Sequence, residues 1–248
     1  MKATPLLLVV AACGGAPKPA THDEQPVVVS AKPTTRVPIE DTPADGDDTD
    51  GVRLEGQHGH MEPAVVDTGI SPHKTDLADC YASRVGRRRW LGGHVTLHWD
   101  IKADGTVTAV KLSESDLGAW SVEKCLLDIA KSATFGRPVN GDADFAVPLD
   151  FSARGATAVW DEDQGLRAVG KQLARLDTCA RGKIHMPADV TITVYVGPHG
   201  QAQSVGFSSA KTVLDETWAA CAEKAAMAWH LPDPRGEIAK LAIRYRPE

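Results

Sequence analysis

An irregular apolar pattern occurs twice in this chain, and it limits the fold more than any other feature. In the first copy, apolar and polar residues alternate over 95–101, a turn glycine follows, and a second apolar run covers 107–112. The same order returns over 190–196 and 202–207. Alternation predicts strands with one buried face. In both copies the second run contains one three-residue step, which predicts a β-bulge at the same place. A shared irregularity indicates an internal duplication.

Each copy also has a predicted helix on either side of the strand pair and a closing strand. In the first copy, the helix at residues 75–88 carries Cys80 and the later helix carries Cys125. Cys179 and Cys221 hold the same places in the second copy. We therefore predict an α+β chain of two tandem αββαβ modules. Each would be a three-stranded antiparallel sheet with two helices on one face.

The cysteines predict two disulfides. Four cysteines remain if Cys13 is modified, and four cysteines allow three pairings. The repeat selects Cys80 with Cys125 and Cys179 with Cys221, because the members of each pair lie on the two helices that cover one sheet face. A bridge closing a loop of this length adds on the order of 3–4 kcal/mol of stability.

The N-terminus has the features of an export signal. A basic start is followed by a short apolar run and small residues, which predicts a signal over residues 1–12. Val10-Ala11-Ala12-Cys13 resembles the lipobox of bacterial lipoproteins, which implies cleavage before Cys13 and attachment of lipid to it. The alternative is an ordinary cleaved signal in which Cys13 is incidental. Gly14 follows instead of the aspartate that retains enteric lipoproteins at the inner membrane. We therefore expect a cell-envelope protein anchored in the outer membrane and facing the periplasm.

The segment after the signal differs in composition from the rest of the chain. Residues 13–74 are rich in proline and include an acidic cluster at 45–50, without helical or strand periodicity. Such a segment buries too little apolar surface to offset the entropy of folding, so we predict a disordered tether. The predicted domains are then the tether, a first module over 75–153 and a second, divergent module over 154–248.

Several motifs of the first copy together resemble a known family. They are Asp79-Cys80-Tyr81, the strand ending at Asp104-Gly105, the run Val122-Glu123-Lys124-Cys125 and the closing strand at 145–151. This set resembles the AgmX/PglI C-terminal domain of myxobacterial envelope proteins, which is similar in layout to the TonB C-terminal domain. The second copy matches in spacing more than in residues. The resemblance implies a non-enzymatic module that binds other proteins, with a link to gliding motility or envelope transport.

Two surfaces are candidate binding sites. A small open sheet has edge strands that can accept a partner's strand. We predict the recruiting edge at the closing strands, through Phe145, Val147, Leu149, Leu241, Ile243 and Tyr245. The second surface is a basic patch formed by Arg87, Arg88 and Arg89 at the end of the first helix. It could contact an anionic lipid or an acidic partner, or it could only complement the helix dipole.

Enzymatic, cofactor and nucleic-acid functions have little support in the sequence. There is no Gly-x-Ser-x-Gly nucleophile motif and no phosphate-binding glycine loop. On one strand, His94 and His98 would lie about 13 Å apart, too far to share one ion, so we predict no metal site. The net charge of -6 gives no reason to expect nucleic acid. The alternative function is a periplasmic lipoprotein that binds a small ligand or metal, which would need polar residues converging in a pocket.

Overall fold

The computed structural model describes residues 59–180 and 187–246, and it is a mixed α+β protein with two sheets, as predicted at that level. The predicted signal, Cys13 and most of the predicted tether lie outside these residues. The first half contains α1 (Pro63–Ile70), α2 (Lys74–Val85), β1 (Gly93–Ile101), β2 (Val107–Ser115), α3 (Trp120–Ser132) and β3 (Ala143–Phe151). The second half contains β4 (Ala158–Trp160), α4 (Glu162–Val169), a 3₁₀ helix (Gly170–Cys179), β5 (Val190–Val196), β6 (Ala202–Ser208), α5 (Glu216–Met227) and β7 (Ala239–Tyr245).

The first sheet has the predicted three antiparallel strands, in the order β2-β1-β3. The apolar residues of β1 face the helices and are buried, and Trp99 stacks on Phe145 with ring centroids 5.2 Å apart. The predicted bulge is also present. The partner of Asp100 is Ala109 but the partner of Ile101 is Val107, so one extra residue of β2 lies between them.

The second sheet repeats this arrangement but has a fourth strand. Its order is β4-β7-β5-β6, with β5 antiparallel to both neighbours and β4 parallel to β7. An extra residue of β6, Gln203, forms the second bulge between the pairs Tyr195–Ser204 and Val196–Ala202. The prediction of three strands is wrong for this sheet. It missed β4, because a three-residue strand is too short to show alternation in the sequence.

Two helices differ from the prediction. Helix α1 lies inside the segment predicted as a disordered tether, so that prediction is wrong for residues 63–74. This helix begins at Pro63 and buries Val66 and Ile70, which supply the apolar contacts that the segment seemed to lack. The predicted helix before Cys179 is divided into α4 and a 3₁₀ helix at Gly170, whose φ of 50° is accessible mainly to glycine.

Both predicted disulfides are confirmed. Cys80 of α2 is bonded to Cys125 of α3, and Cys179 of the 3₁₀ helix is bonded to Cys221 of α5. The Cα atoms are 5.7 Å and 5.6 Å apart. Each bridge therefore joins the helices that cover one sheet and lies within one half of the chain.

Candidate functional site

The outer edge of β6 is closed by the first half of the chain. Phe207 donates its backbone N–H to Glu123 Oε2 at 2.8 Å, and Ser209 donates to the carbonyl of Leu112 in β2, also at 2.8 Å. These contacts place β6 beside β2, so neither strand at this contact offers a free edge to a partner.

Strand β7, one of the two predicted recruiting edges, is not an open edge where it begins. Strand β4 pairs with it, and Trp160 lies opposite Leu241. Gly165 of α4 lies so close to Ile243 that a Cβ added to it would be 2.9 Å from the Ile243 side chain. The hydroxyl of Tyr245 is hydrogen-bonded to Asp177. The predicted site at Leu241, Ile243 and Tyr245 is therefore covered by elements of the second half.

Strand β3 is the other predicted edge, and within residues 59–180 and 187–246 it pairs only with β1, on one of its sides. The carbonyls of Thr96 and Asp100 accept hydrogen bonds from hydroxyls of β2, so even-numbered residues of β1 turn their backbone groups toward β2. Odd-numbered residues turn theirs toward β3, where Leu97 lies opposite Val147. The backbone groups of Phe145, Val147 and Leu149 are therefore used inside the sheet.

The groups available on the outer side of β3 belong to the residues between the predicted ones. Asp144, Ala146 and Asp150 direct their N–H groups outward, whereas the side chains of Phe145, Val147 and Leu149 are buried in the core. The site residues predicted from the sequence are therefore on the correct strand but one position away from the atoms that a partner would meet. Alternation shows which side chains are buried, but it does not show which backbone groups are unpaired.

Pro148 is the remaining outward-facing residue of β3, and it was missed by the sequence reasoning. It is opposite Thr96, whose carbonyl points away from β3, so its missing N–H faces outward and costs the sheet no hydrogen bond. A proline at an edge reduces unspecific strand pairing. The signal was visible in the sequence, because a proline inside an otherwise regular strand indicates an edge.

The side chains beside this edge are polar on the face away from the helices. His94 Nδ1 lies 3.0 Å from Asp150, and His98 Nε2 lies 3.5 Å from Asp144 and 3.1 Å from Asp100. Two half-exposed carboxylates, those of Asp144 and Asp150, thus flank the outer edge. A strand added there would meet acidic side chains on one face and the rim of the apolar core on the other.

The described chain begins on this same edge. Gly59 donates its N–H to the carbonyl of Asp142, just before β3, at 2.7 Å. His60 and Val139 exchange two backbone hydrogen bonds of 3.0 Å and 2.9 Å in an antiparallel bridge. Among the described residues, the part of the edge without a strand partner therefore runs from Ala143 onward.

The predicted basic patch has a partly structural role. Arg88 donates to the carbonyls of Arg84 and Val85 at the end of α2, and it lies 3.5 Å from Ser204 of the second half. These contacts match the alternative in which cations complement a helix C-terminus. Arg87 and Arg89 are exposed, so the exposed patch consists of two of the three predicted residues.

Glu123 is the most unusual charged group in the described residues, and it joins the two halves. Its carboxylate is fully buried at the start of α3 and accepts from Ser115 Oγ at 2.7 Å and from Phe207 N at 2.8 Å. Burial raises the pKa of Glu123 to about 7, although hydrogen bonds from Ser115 and from the backbone of Phe207, Ala119 and Gly118 oppose this. The sequence showed Glu123 only as part of a motif, with no sign of its burial.

Further contacts unite the halves into one body. Tyr195 donates its hydroxyl to the carbonyl of Gly92 at 2.7 Å, and burial raises its pKa. Lys240 lies 2.9 Å from Asp116. Glu216 of α5 forms ion pairs with Lys124 and Lys131 of α3, and the hydrogen bonds from both lysines lower the pKa of Glu216. The second sheet is therefore covered on both faces, by its own helices and by the first half.

Two observations bear on the alternative function of small-ligand or metal binding. A groove of about 340 Å³ is lined by Trp160, Gln164, Arg167, Ala168 and Pro232, and it is open to solvent. Within residues 59–180 and 187–246, no three His, Cys, Asp or Glu side chains are grouped so that they could hold a metal ion. In the same residues, no helix combines the length and apolar character that crossing a bilayer requires.

Comparisons with known proteins give no further guide to the site. No protein-family model, no curated protein and no solved structure matches this chain.

Proposed function

We propose that this chain is a non-enzymatic, lipid-anchored adaptor of the bacterial cell envelope, which binds protein partners by strand addition to β3. The observation that carries the proposal is the geometry of β3, a nine-residue strand whose outer backbone groups are not paired with any strand among the described residues. The resemblance to the AgmX/PglI and TonB C-terminal domains supports a protein-binding role. Two disulfides support an oxidising compartment such as the periplasm.

Strand addition suits this edge for physical reasons. The outward N–H groups of Asp144, Ala146 and Asp150 give a partner strand repeated hydrogen-bond donors, which supply affinity that depends little on sequence. Pro148 removes one donor in the middle. Because this missing donor weakens main-chain hydrogen bonding at Pro148, the edge favours partners whose side chains add contacts at that position. Asp144 and Asp150 favour basic or hydrogen-bond-donating side chains on the solvent face of such a partner.

We further propose that the two halves are copies of one αββαβ module with different roles. The matched bulges and the matched disulfides support a common origin. In the part of the chain that the structure describes, the closing strand of the first copy has no partner on its outer side, whereas the closing strand of the second copy is paired with β4. The second copy would then support the first through the interface around Glu123, while the first copy binds the partner.

A photo-crosslinking amino acid at Ala146 tests the proposal in intact cells. Ala146 is only partly buried and its backbone faces outward, so a probe there lies beside an added strand. The matched control is Gln203, an exposed residue of β6. We expect the Ala146 probe, and not the Gln203 probe, to form a covalent product with an envelope protein identified by mass spectrometry. No product from Ala146, or equal products from both positions, would contradict strand addition.

A proline substitution separates the edge from the fold. Ala146→Pro removes an outward N–H without breaking the hydrogen bonds between β3 and β1, whereas a proline at Val147 would break them. We expect Ala146→Pro to fold, to retain its circular dichroism spectrum and to lose the crosslink when the probe is moved to Asp144. Ala146→Ser keeps the N–H and should keep the crosslink.

The lipid anchor has its own test. Cys13 lies outside the described residues, so mass spectrometry of the mature protein is the direct measurement. We expect an N-terminal Cys13 carrying fatty acids and fractionation with the outer membrane. Cys13→Ser should release the protein into the soluble periplasmic fraction. A mature chain without fatty acid would exclude the anchor but would leave the binding edge untouched.

A further inference from the structure

We propose that three exposed arginines, Arg87, Arg89 and Arg154, form a surface that binds the phosphate groups of an anionic membrane. This set is called the arginine surface. The inference goes beyond the proposed function, because it involves neither the edge of β3 nor a protein partner. It gives the folded body its own contact with the bilayer, in addition to the proposed lipid on Cys13.

The arginine surface belongs to two connections that contain no acidic residue. Residues 86–92 connect α2 to β1 and contain three arginines but no aspartate or glutamate. Residues 152–157 connect β3 to β4 and contain one arginine and no acidic residue. In a chain with a net charge of -6, these connections are a local excess of positive charge. Such an excess creates a positive potential that attracts anions.

Backbone hydrogen bonds hold the two connections together. The carbonyl of Arg89 accepts from the N–H of Arg154 at 2.7 Å and from the N–H of Gly155 at 2.8 Å. Burial raises the pKa of Tyr81 in α2, and the charge of Arg154 opposes this rise, so Arg154 also lies near α2. The fold therefore brings the arginines to one end of the first half.

The acidic residues close to this end have other partners. Asp150, near the end of β3, pairs with His94 at 3.0 Å, and Asp116 pairs with Lys240 at 2.9 Å. In the part of the chain that the structure describes, no carboxylate forms an ion pair with the arginine surface. Its positive charge is therefore not neutralised within the described protein.

Arg88 differs from the three arginines of the surface, because its guanidinium group is used inside the protein. It donates to the carbonyls of Arg84 and Val85. Its charge also acts on Glu223, whose pKa is raised by burial and lowered by Arg88. Among the described residues the arginine surface has no comparable side-chain contacts, so its guanidinium groups are available to a ligand.

A membrane explains this surface better than an acidic protein does. The centre of a protein–protein interface is usually apolar and depleted of charge. In residues 86–92 and 152–157, no large apolar side chain is strongly exposed. Guanidinium groups bind phosphate through paired N–H donors and need no apolar surroundings. A layer of lipid phosphates therefore matches both the charge and the polar character of the surface.

The position of the surface is compatible with partner binding at β3. Strand β3 ends at Phe151, three residues before Arg154. At about 3.4 Å per residue, its nine residues extend roughly 27 Å. With the arginine surface on the bilayer, β3 would lead away from the membrane, and most of its outer edge would remain accessible.

Three arginines would orient the body rather than retain the protein. Each basic residue near an anionic membrane raises the partition coefficient about fivefold, and the effect falls off within about 10 Å at 0.1 M salt. Without the lipid, binding through the arginine surface would be brief at physiological salt. Cys13→Ser should therefore still release the protein from membranes in cells.

Cosedimentation with lipid vesicles tests the proposal. The mature full-length chain carrying Cys13→Ser cannot be acylated, so any binding belongs to the protein itself. We expect it to sediment with vesicles that contain phosphatidylglycerol at low ionic strength, and not with vesicles of phosphatidylcholine alone. Binding to the anionic vesicles should decrease as salt is added. Equal partitioning to both kinds of vesicle, or none to either, would overturn the proposal.

Two sets of substitutions with the same change in net charge locate the contact. Replacing the three arginines of the surface by glutamine should weaken binding to the anionic vesicles by about tenfold or more. The matched control carries Arg137→Gln, Arg167→Gln and Arg175→Gln, which are exposed arginines elsewhere in the chain. It should bind like the unsubstituted chain, and circular dichroism should show that both variants fold. Equal losses in the two variants would show that overall charge is responsible, and the proposal would be wrong.

An acidic polypeptide distinguishes a protein partner from a membrane. A bilayer presents many phosphates to the arginine surface at once, whereas a flexible chain must be ordered to do so. We expect polyglutamate, at an equal concentration of negative charge, to displace little of the protein from the anionic vesicles. Full displacement would indicate that the surface serves an acidic protein and would reject the proposal.

This inference and the proposed function fail separately. The vesicle assay uses a chain without lipid and does not involve the edge of β3. Absence of a crosslink from Ala146 would reject strand addition and leave the membrane contact standing. Conversely, a crosslink from Ala146 together with vesicle binding that ignores the arginine surface would retain the adaptor function and reject the membrane contact.

Discussion

The buried carboxyl of Glu123 should make the protein less stable at neutral pH than under mildly acidic conditions. Glu123 lies fully buried where α3 meets β6, and burial raises its pKa from 4.5 to about 7. A carboxyl with a raised pKa binds its proton more tightly in the folded chain than in the unfolded chain. Its contribution to stability is therefore complete below about pH 4.5 and is lost as the pH rises through 7.

The size of this effect follows from the two pKa values. Each unit of difference corresponds to about 1.4 kcal/mol, so the whole change is on the order of 3 kcal/mol. Between pH 5.5 and 7.5 the free energy of unfolding should fall by about 2 kcal/mol from this group alone. The lowered pKa values of Asp67, Asp104 and Asp233 do not contribute, because these groups are ionised throughout that range.

Urea unfolding at the two pH values, followed by tryptophan fluorescence, measures the effect. The matched variant is Glu123→Gln, which is uncharged at every pH. Its amide oxygen can accept from Phe207 N, and its amide NH₂ can donate to Ser115 Oγ. We expect this variant to lose most of the pH dependence. Comparing the two chains cancels the contribution of Glu223, whose pKa is also raised by burial.

The reasoning would be refuted by a wild-type chain whose pH dependence equals that of Glu123→Gln. That result would mean that Glu123 stays ionised over this pH range, because its four hydrogen bonds outweigh burial.

Three further predictions concern stability. Replacing Cys80 and Cys125 together by serine should lower the free energy of unfolding by about 4 kcal/mol, measured by urea titration, because the bridge spans 45 residues; an unchanged midpoint would contradict it. Gly206→Ala should destabilise the chain strongly, since its Cβ would overlap the buried carboxylate, whereas Gly155→Ala should have little effect in the same thermal unfolding assay. Tyr195→Phe should cost about 1–2 kcal/mol in urea unfolding, because it removes the buried hydrogen bond to the first half; a neutral result would show that this contact adds nothing.

The repeated features could be predicted because they are local. The three-residue steps at the bulges, the turn glycines and the positions of the cysteines all lie within short stretches of sequence. Comparing the two copies then selected one disulfide pairing out of three. Helix α1 could not be predicted in the same way. Its apolar residues, Val66 and Ile70, are few and lie next to a proline-rich stretch, so their burial depends on contacts distant in sequence.

The interface between the halves was not predicted because its residues look like solvent-facing ones. Thr193, Ser204 and Ser208 alternate with the apolar residues of their strands, as expected for a sheet with one wet face. In the structure all three are buried, and Thr193 and Ser204 form hydrogen bonds with the first half. Small polar side chains suit a close contact between two bodies, but alternation alone does not distinguish that contact from water. For the same reason, the sequence did not show that the outer edge of β6 is closed, and it did not distinguish the edge of β3 from the edge of β7.

The positions of the disulfides set how far this protein can lengthen under tension. Each bridge closes a loop inside one half, with a sequence separation of 45 for the first pair of cysteines and 42 for the second. Chain within a closed loop cannot be drawn out while the bridge holds. At about 3.5 Å per extended residue, each bridge prevents roughly 150 Å of chain from being extended. If the two halves were pulled apart at their shared interface, the disulfide in each half would still limit how far that half can be extended. Reduction would release the remaining length in two separate steps.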